Sequence, residues 1–134
     1  MVGDHAARLH KAPVDIASAM LTAIADGRGE DAAVLADPQV VWVPSIRPGR
    51  TLYEGRDGVA QFVADLHAAY GRFRIVVHDI TTGDGAVNPG ETEVTALIGG
   101  FRQIGGSELA LPKLAITFTI RHGLVTFMES IVGG

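Results

Sequence analysis

The spacing of apolar residues changes once along this chain, at Gly71, and that change limits the folds open to it. Before Gly71 apolar residues recur every three or four positions, as on the buried stripe of a helix. After Gly71 they alternate with polar residues, as on a strand with one buried face. Helical segments followed by a run of strands indicate an α+β domain with a mostly antiparallel sheet.

Three helices are predicted in the first half of the chain. The first begins at Pro13, because a proline at the first helical position loses no hydrogen bond, and it ends at Gly27. A short second helix covers residues 30–36, and the proline that follows stops it. The third covers residues 57–70, whose apolar positions lie on one helical face.

The strands are predicted mainly after Gly71. One isolated strand covers residues 40–43, and an irregular loop with two prolines and two glycines follows over residues 44–55. The other strands span residues 73–82, 91–103, 109–121 and 124–132. The turns between them cover residues 83–90 and 105–106 and the pair His122-Gly123, which predicts a tight hairpin.

Length and charge restrict the domain organisation and the partners. A chain of 134 residues fits one domain, predicted here over residues 13–134 after a flexible leader at residues 1–12. A net charge of −4 provides no basic field for nucleic acid, and the apolar run over residues 12–25 is too short to span a bilayer. The absence of cysteine excludes thiolate chemistry. We expect a cytoplasmic protein without nucleic-acid or membrane partners.

Four short motifs in this order resemble the SnoaL-like group of the nuclear transport factor 2-like superfamily. They are Trp42-Val43-Pro44, the segment 53–59 (YEGRDGV), Thr82-Gly83-Asp84 and the segment 121–125 (RHGLV). The group includes polyketide cyclases, limonene-epoxide-hydrolase-like proteins and ketosteroid isomerases, and the resemblance covers residues 13–132. It implies a cone-shaped curved sheet packed against three helices, a pocket between them and a homodimer.

The catalytic positions of these relatives are only partly matched. The resemblance places the general base of the isomerases directly before a proline, where this chain has Val43. An isopropyl group cannot accept a proton, which disfavours the isomerase mechanism. The epoxide-hydrolase set falls on Glu93, Thr95 and Ser130, with Glu93 in the position of an arginine and Glu129 beside the last position. Epoxide hydrolysis then requires Glu129 to take the acid position.

Glu129 and His78 are the predicted catalytic residues. Alternation groups Glu129 with Val125, Phe127 and Ile131, and a carboxyl on such an apolar face would have a raised pKa. The alternatives are an ion pair with an arginine on a neighbouring strand or an exposed edge at a dimer interface. His78 would enter the pocket as a base or hydrogen-bonding group if its face is concave; otherwise it is a core or edge histidine.

The predicted ligand contacts are mainly aromatic. Trp42 and Tyr53 flank the loop beside the expected pocket mouth, and each carries a polar group that needs a partner when buried. The further predicted ligand-binding residues are Phe62, Leu66, Tyr70, Glu93 and Phe118. Plain core packing is the alternative for these aromatic side chains, and it is favoured for Phe62 and Phe118. The histidines lack the spacing of a metal pair, so neither a metal nor another cofactor is expected.

These observations predict a protein with an apolar internal pocket for a small apolar or polycyclic molecule. The leading hypothesis is an enzyme of the cyclase, isomerase or hydrolase type that uses metal-free acid–base chemistry. The alternative is a non-catalytic ligand-binding or dimerisation module. On the strand over residues 109–121, the alternate residues Ala115, Thr117, Thr119 and Arg121 form a mild face suited to a contact between two sheets.

Overall fold

A computed structural model describes residues 12–45, 50–83 and 88–132. Its elements are, in chain order, α1 (Pro13–Ala25), α2 (Gly29–Val34), β1 (Ala36–Val43), β2 (Tyr53–Glu54), α3 (Gly55–Tyr70), β3 (Phe73–Gly83), β4 (Glu91–Ile104), β5 (Ser107–Arg121) and β6 (Leu124–Val132). The predicted leader up to residue 11, and parts of the predicted connections at residues 46–49 and 84–87, lie outside the described residues.

The six strands form one sheet in the spatial order β2-β1-β6-β5-β4-β3. Strands β3 to β6 make an antiparallel meander, β1 adds to β6 in parallel, and β2 pairs antiparallel with β1. Helices α1 and α3 pack against the same face of the sheet, called here the inner face, and the opposite face is called the outer face. The predicted α+β class, with a mostly antiparallel sheet and three helices, is confirmed.

The core lies between the inner face and the helices. Val94 on β4, Phe118 on β5 and Met128 on β6 are almost completely buried and contribute to one apolar cluster with Met20 of α1 and Val63 of α3. Alternation along each strand explains this arrangement, because every second side chain points towards the helices. The helical stripes predicted for α1 and α3 supply the other side of the cluster.

Strand β1 begins four residues earlier than predicted. The short helix α2 already ends at Val34, and Ala36 opens the strand. Pro38 is tolerated inside β1 because the ladder with β6 is interrupted between Ala36 and Val41, where no backbone N–H is needed for pairing. The two-residue strand β2 was not expected, since the loop around it carries no alternating pattern.

Three irregularities interrupt the regular alternation of the meander. His78 is an extra residue between Val77 and Asp79, whose partners Ile98 and Leu97 are adjacent in β4. The register of β4 against β5 shifts at Gly99. The register of β5 against β6 shifts where Ile120 pairs with Val125 and the preceding Thr119 pairs with Phe127. Each extra residue changes which side chains face inward on the far side of the bulge.

The turn between β5 and β6 is the predicted tight hairpin. His122 and Gly123 both have positive φ, at 53° and 78°, the left-handed backbone that a two-residue hairpin of this kind requires. Within the described ranges, no helix is both long enough and apolar enough to cross a membrane.

Candidate ligand-binding site

A cavity of about 80 Å³ lies between the helices and the inner face of the sheet. Its walls are mainly apolar, since aliphatic and aromatic side chains provide most of them. The helical residues are Leu21, Ile24, Phe62, Leu66 and Tyr70, and the sheet residues include Trp42, Ile75, Ile98, Leu114 and Ile116. The predicted contacts Trp42, Phe62, Leu66 and Tyr70 are therefore brought together, and their contact with a ligand stays a prediction.

The glycine pair in β4 belongs to the cavity wall. A Cβ at Gly100 would lie 2.8 Å from the backbone oxygen of Arg74 on β3, so only glycine allows the two strands to approach this closely. A Cβ at Gly99 would meet only the ring of His78, at 2.8 Å from Nε2. A glycine pair inside an alternating strand is the sequence signal that could have located the register shift at Gly99 and the cavity wall beside it.

Trp42, a residue of the cavity wall, holds a buried polar atom without a partner among the described residues. The residue is 3% exposed, and its ring meets the Phe62 ring edge-on at 5.0 Å. Its Nε1 is buried, and no hydrogen-bond acceptor for it exists among the described residues. A buried N–H without an acceptor costs about 1–3 kcal/mol, and such groups are uncommon in folded proteins.

Ser130 supplies the second polar group of the wall. Its Oγ accepts a 2.7 Å hydrogen bond from the backbone N–H of Ser45 and lies 2.8 Å from the Ser45 hydroxyl. One hydroxyl hydrogen is used between the two serines, which leaves one hydroxyl hydrogen of the pair free to donate. The sequence left open whether Glu129 or Ser130 faces inward; the structure places Ser130 inward and buried.

The charged residues beside the cavity are already paired. Arg74 lines one end, but its guanidinium lies 4.3 Å from the centre of the Phe101 ring and donates to Glu108 at 3.1 Å. That hydrogen bond lowers the pKa of Glu108. At the end of α3, Arg102 donates to the carbonyl of Tyr70 and its guanidinium lies 5.3 Å from the Tyr70 ring centre, which holds the tyrosine in place.

Tyr53 is not part of the cavity wall, contrary to the sequence-based expectation. Its ring is buried behind Phe62, with 5.3 Å between the ring centres. The hydroxyl donates to Asp65 and accepts from the backbone N–H of Arg50. Burial and the Asp65 carboxylate raise the pKa of Tyr53. The polar group of Tyr53 therefore has protein partners and does not need a ligand.

The prediction that Glu129 lies on a buried apolar face is wrong. The bulge in β6 separates Val125, which is buried, from Phe127 and Glu129, which are exposed on the outer face. Glu129 lies in one cross-strand row with Thr117 and Val43. The structure does not contain the burial on which the proposed role depended, and a catalytic role for Glu129 has no support from its position.

Glu93 and His78 also lie away from the cavity wall. Glu93 pairs with Thr119, which pairs with Phe127, so the glutamate belongs to the outer face. His78 is exposed at the β3 bulge, because the extra residue breaks the alternation that would have grouped it with Val76 and Ile80. His78 therefore lies where an edge histidine would, which was the alternative to a residue of the pocket.

Phe118 faces inward, but it is fully buried in the core and does not line the cavity. This agrees with the packing alternative for that residue. Among the described residues of the wall, Tyr70 and Arg74 are the ionisable side chains, and neither a carboxylate nor an imidazole is present. What the wall offers chemically is apolar surface with few polar groups: the Trp42 indole N–H, the Tyr70 hydroxyl and the Ser130 hydroxyl that is bonded to Ser45.

A comparison with protein families shows to which family this chain belongs. The model of the SnoaL-like domain matches residues 17–128, which include every helix and strand described above at least in part. The chain belongs to the SnoaL-like family. A search of curated proteins found no match to this SnoaL-like chain.

Solved structures confirm the fold of this SnoaL-like domain. An NTF2-like protein with a cystatin-like fold from Novosphingobium aromaticivorans is 14% identical, with a TM-score of 0.73 over 98% of this chain and 86% of that one. A protein with a ketosteroid isomerase-like fold from Catenulispora acidiphila, in complex with trimethylamine, is 14% identical, with a TM-score of 0.66 over 88% and 85%. TerC, co-crystallized with polyporic acid, is 18% identical, with a TM-score of 0.64 over 90% of each chain.

Proposed function

We propose that this SnoaL-like domain binds a small, largely apolar molecule in the cavity between its helices and the inner face of its sheet. The observation that carries the proposal is the cavity itself, an apolar space walled by α1, α3 and five strands. An apolar concave site with a few convergent polar groups is the usual form of a small-molecule site. Two solved relatives of the same fold hold small molecules, trimethylamine in one and polyporic acid in the other.

The volume limits the size of the bound molecule. The cavity of about 80 Å³ is roughly half of the ~150 Å³ that accommodates benzene in an engineered apolar cavity. A short branched chain therefore suits the enclosed space, and a single ring or a larger molecule would extend past the exposed wall residues Arg74 and Pro112. This favours a small apolar ligand over a polycyclic one.

Binding without turnover is the form of this function that the wall favours. General acid–base catalysis needs a titratable group within hydrogen-bond reach of the reacting atoms. Glu129 and His78, the residues expected to do this, lie outside the cavity, and the described wall residues add no carboxylate or imidazole. Cyclase, isomerase or hydrolase chemistry, the leading hypothesis from the sequence, therefore has less support than the ligand-binding module that was its alternative.

We also propose that the domain forms a homodimer through its outer face. The row Leu97, Ala115 and Ile131 crosses three strands there, with Leu97 46% and Ile131 62% exposed. The neighbouring row contains the uncharged Thr95 and Thr117 and, at its β6 position, the exposed Glu129. Adjacent exposed apolar side chains on the face of a sheet suit a contact with a second copy. A cytoplasmic location stays a prediction.

Titration with benzene tests the binding proposal. Trp42 is the single tryptophan, so its fluorescence reports on the cavity, and we expect a saturable change. Leu114→Phe should abolish that change, because the larger ring occupies the cavity. Leu109→Phe is the matched control on the same strand, at an exposed position outside the cavity, and should bind like the unmodified protein. Absence of a saturable change in the unmodified protein would overturn the proposal.

A further inference from the structure

We infer that the ligand carries a neutral hydrogen-bond acceptor, such as a ketone or ether oxygen, which pairs with Nε1–H of Trp42. The inference rests on the proposed binding function and names the chemical class of the ligand. It begins from the one buried side-chain nitrogen or oxygen that has no partner within the described ranges. That atom belongs to a residue of the cavity wall.

The indole N–H determines the polarity of the ligand group. Nε1 of tryptophan can only donate, so a ligand hydroxyl or ketone oxygen can satisfy it, whereas a hydrocarbon cannot. Ser130 lies on β6, beside β1, two residues after the Met128 that pairs with Trp42. The Ser45–Ser130 pair retains one hydroxyl hydrogen to donate. A group that only accepts, such as a carbonyl, matches both donors without adding an unpaired hydrogen.

The same surroundings argue for a neutral ligand. The one cationic side chain among the described wall residues, Arg74, is already paired with Glu108 and stacked on Phe101. A carboxylate or an ammonium group placed among aliphatic and aromatic walls would lose its hydration without an opposite charge. A carbonyl oxygen loses less hydration, and the hydrogen bond from Trp42 compensates for it.

A pair of probes of equal shape tests the inference. Cyclohexanone and methylenecyclohexane have the same six-membered ring. They differ only in the double-bonded group, which is an oxygen in the ketone and a CH₂ in the alkene. The affinity of the ketone relative to the alkene should be compared with the ratio expected from their transfer out of water. The hydrogen bond should raise that relative affinity roughly 2- to 10-fold. The single indole N–H gives one signal in an ¹H–¹⁵N spectrum, and we expect it to move downfield with the ketone and much less with the alkene.

Removal of the donor supplies the second test. Trp42→Phe keeps an aromatic ring but lacks the N–H, so the affinity of the ketone relative to the alkene should fall roughly 2- to 10-fold. Tyr53→Phe is the matched control, because it removes a buried polar group that lies outside the cavity, and it should leave the preference unchanged. If Trp42→Phe does not fold, the downfield shift of the indole signal in the unmodified protein still decides the question.

The outcomes separate the two proposals. Binding of both probes without a downfield indole shift, or with the same preference in Trp42→Phe, overturns the acceptor inference and leaves cavity binding in place. If neither probe binds while benzene also fails, the cavity is not a binding site and both proposals fall. Ketone binding with the indole shift, lost in Trp42→Phe and kept in Tyr53→Phe, supports both.

Discussion

The hydroxyl of Tyr53 donates a 2.7 Å hydrogen bond to Oδ2 of Asp65, which joins strand β2 to helix α3. Gln61, one turn earlier in the helix, donates to the other oxygen of the same carboxylate at 2.7 Å. These bonds lower the pKa of Asp65, the one from Tyr53 having the larger effect. A residue expected to touch a ligand thus instead fixes a two-residue strand to the helix.

Tyr53→Phe should lower the free energy of unfolding by about 1 kcal/mol, because the carboxylate and the backbone N–H of Arg50 both lose a partner. Urea denaturation measures the effect. Tyr70→Phe is the matched control, since no hydrogen bond of the Tyr70 hydroxyl is present among the described residues, and it should change stability less. Equal losses in the two variants would contradict the role assigned to the Tyr53 bond.

The difference in stability between the unmodified protein and Tyr53→Phe should depend on pH. Asp65 has a lowered pKa in the folded state, so its contribution is present above about 3.9, the value of an unfolded aspartate, and is lost as pH falls through the folded pKa. Tyr53 has a raised pKa, so its contribution is present below about 10 and is lost as pH rises further. Denaturation curves measured across the pH range should show a constant stability difference at intermediate pH. The difference should become smaller at both the acidic and the alkaline extreme.

Gly100→Ala should destabilise the domain by about 2 kcal/mol, because the new methyl group would lie 2.8 Å from the Arg74 backbone oxygen and the strands must separate. Gly99→Ala meets only the exposed His78 ring, which can turn away, and should cost less. Gly83→Ala is the control, since a Cβ there would lie 3.7 Å from its nearest atom, Oε1 of Glu93. Thermal unfolding of the three variants checks the order; a Gly100→Ala variant as stable as Gly83→Ala would refute the close approach.

Ile131→Lys should weaken the proposed homodimer about tenfold or more, because it places a charge at the β6 end of the apolar row on the outer face. Leu109→Lys changes an equally exposed leucine that pairs with Arg102, on the opposite face, and should leave the association intact. Light scattering at micromolar concentration is the measurement. A mass near 14.1 kDa for the unmodified protein would contradict the dimer itself.

The regular parts of this fold were predictable from residue patterns, and the irregular parts decided the site. Pro13 and the apolar stripe of α1, and the His122-Gly123 hairpin, depend on local chemistry that a sequence displays. Glu129 was assigned to the wrong face because alternation was extended from Val125 through a bulge. A bulge depends on which residues the neighbouring strand offers, and that information is not local.

The aromatic residues show the same division. Trp42 was expected at the cavity, and it lies there, because the alternation of β1 holds from Val40 to Trp42, both of which are buried. The expectation that Tyr53 contacts a ligand rested only on its closeness in sequence to the loop beside the expected pocket mouth. Its position depends on Asp65, a helix residue whose carboxylate reaches back to the strand. Ser130 became visible only when the register of β6 was known.

The bulge at His78 has a further consequence at the edge of the sheet. Among the described residues, strand β3 has no neighbour on the side away from β4, so its unpaired N–H and C=O groups form a row along which another extended chain could hydrogen-bond. The extra residue puts that row out of step in the middle of the strand. At the other edge, β2 offers only two residues. Both borders are poor templates for strand addition, which protects the domain against open-ended polymerisation and leaves the outer face as the surface for the proposed homodimer.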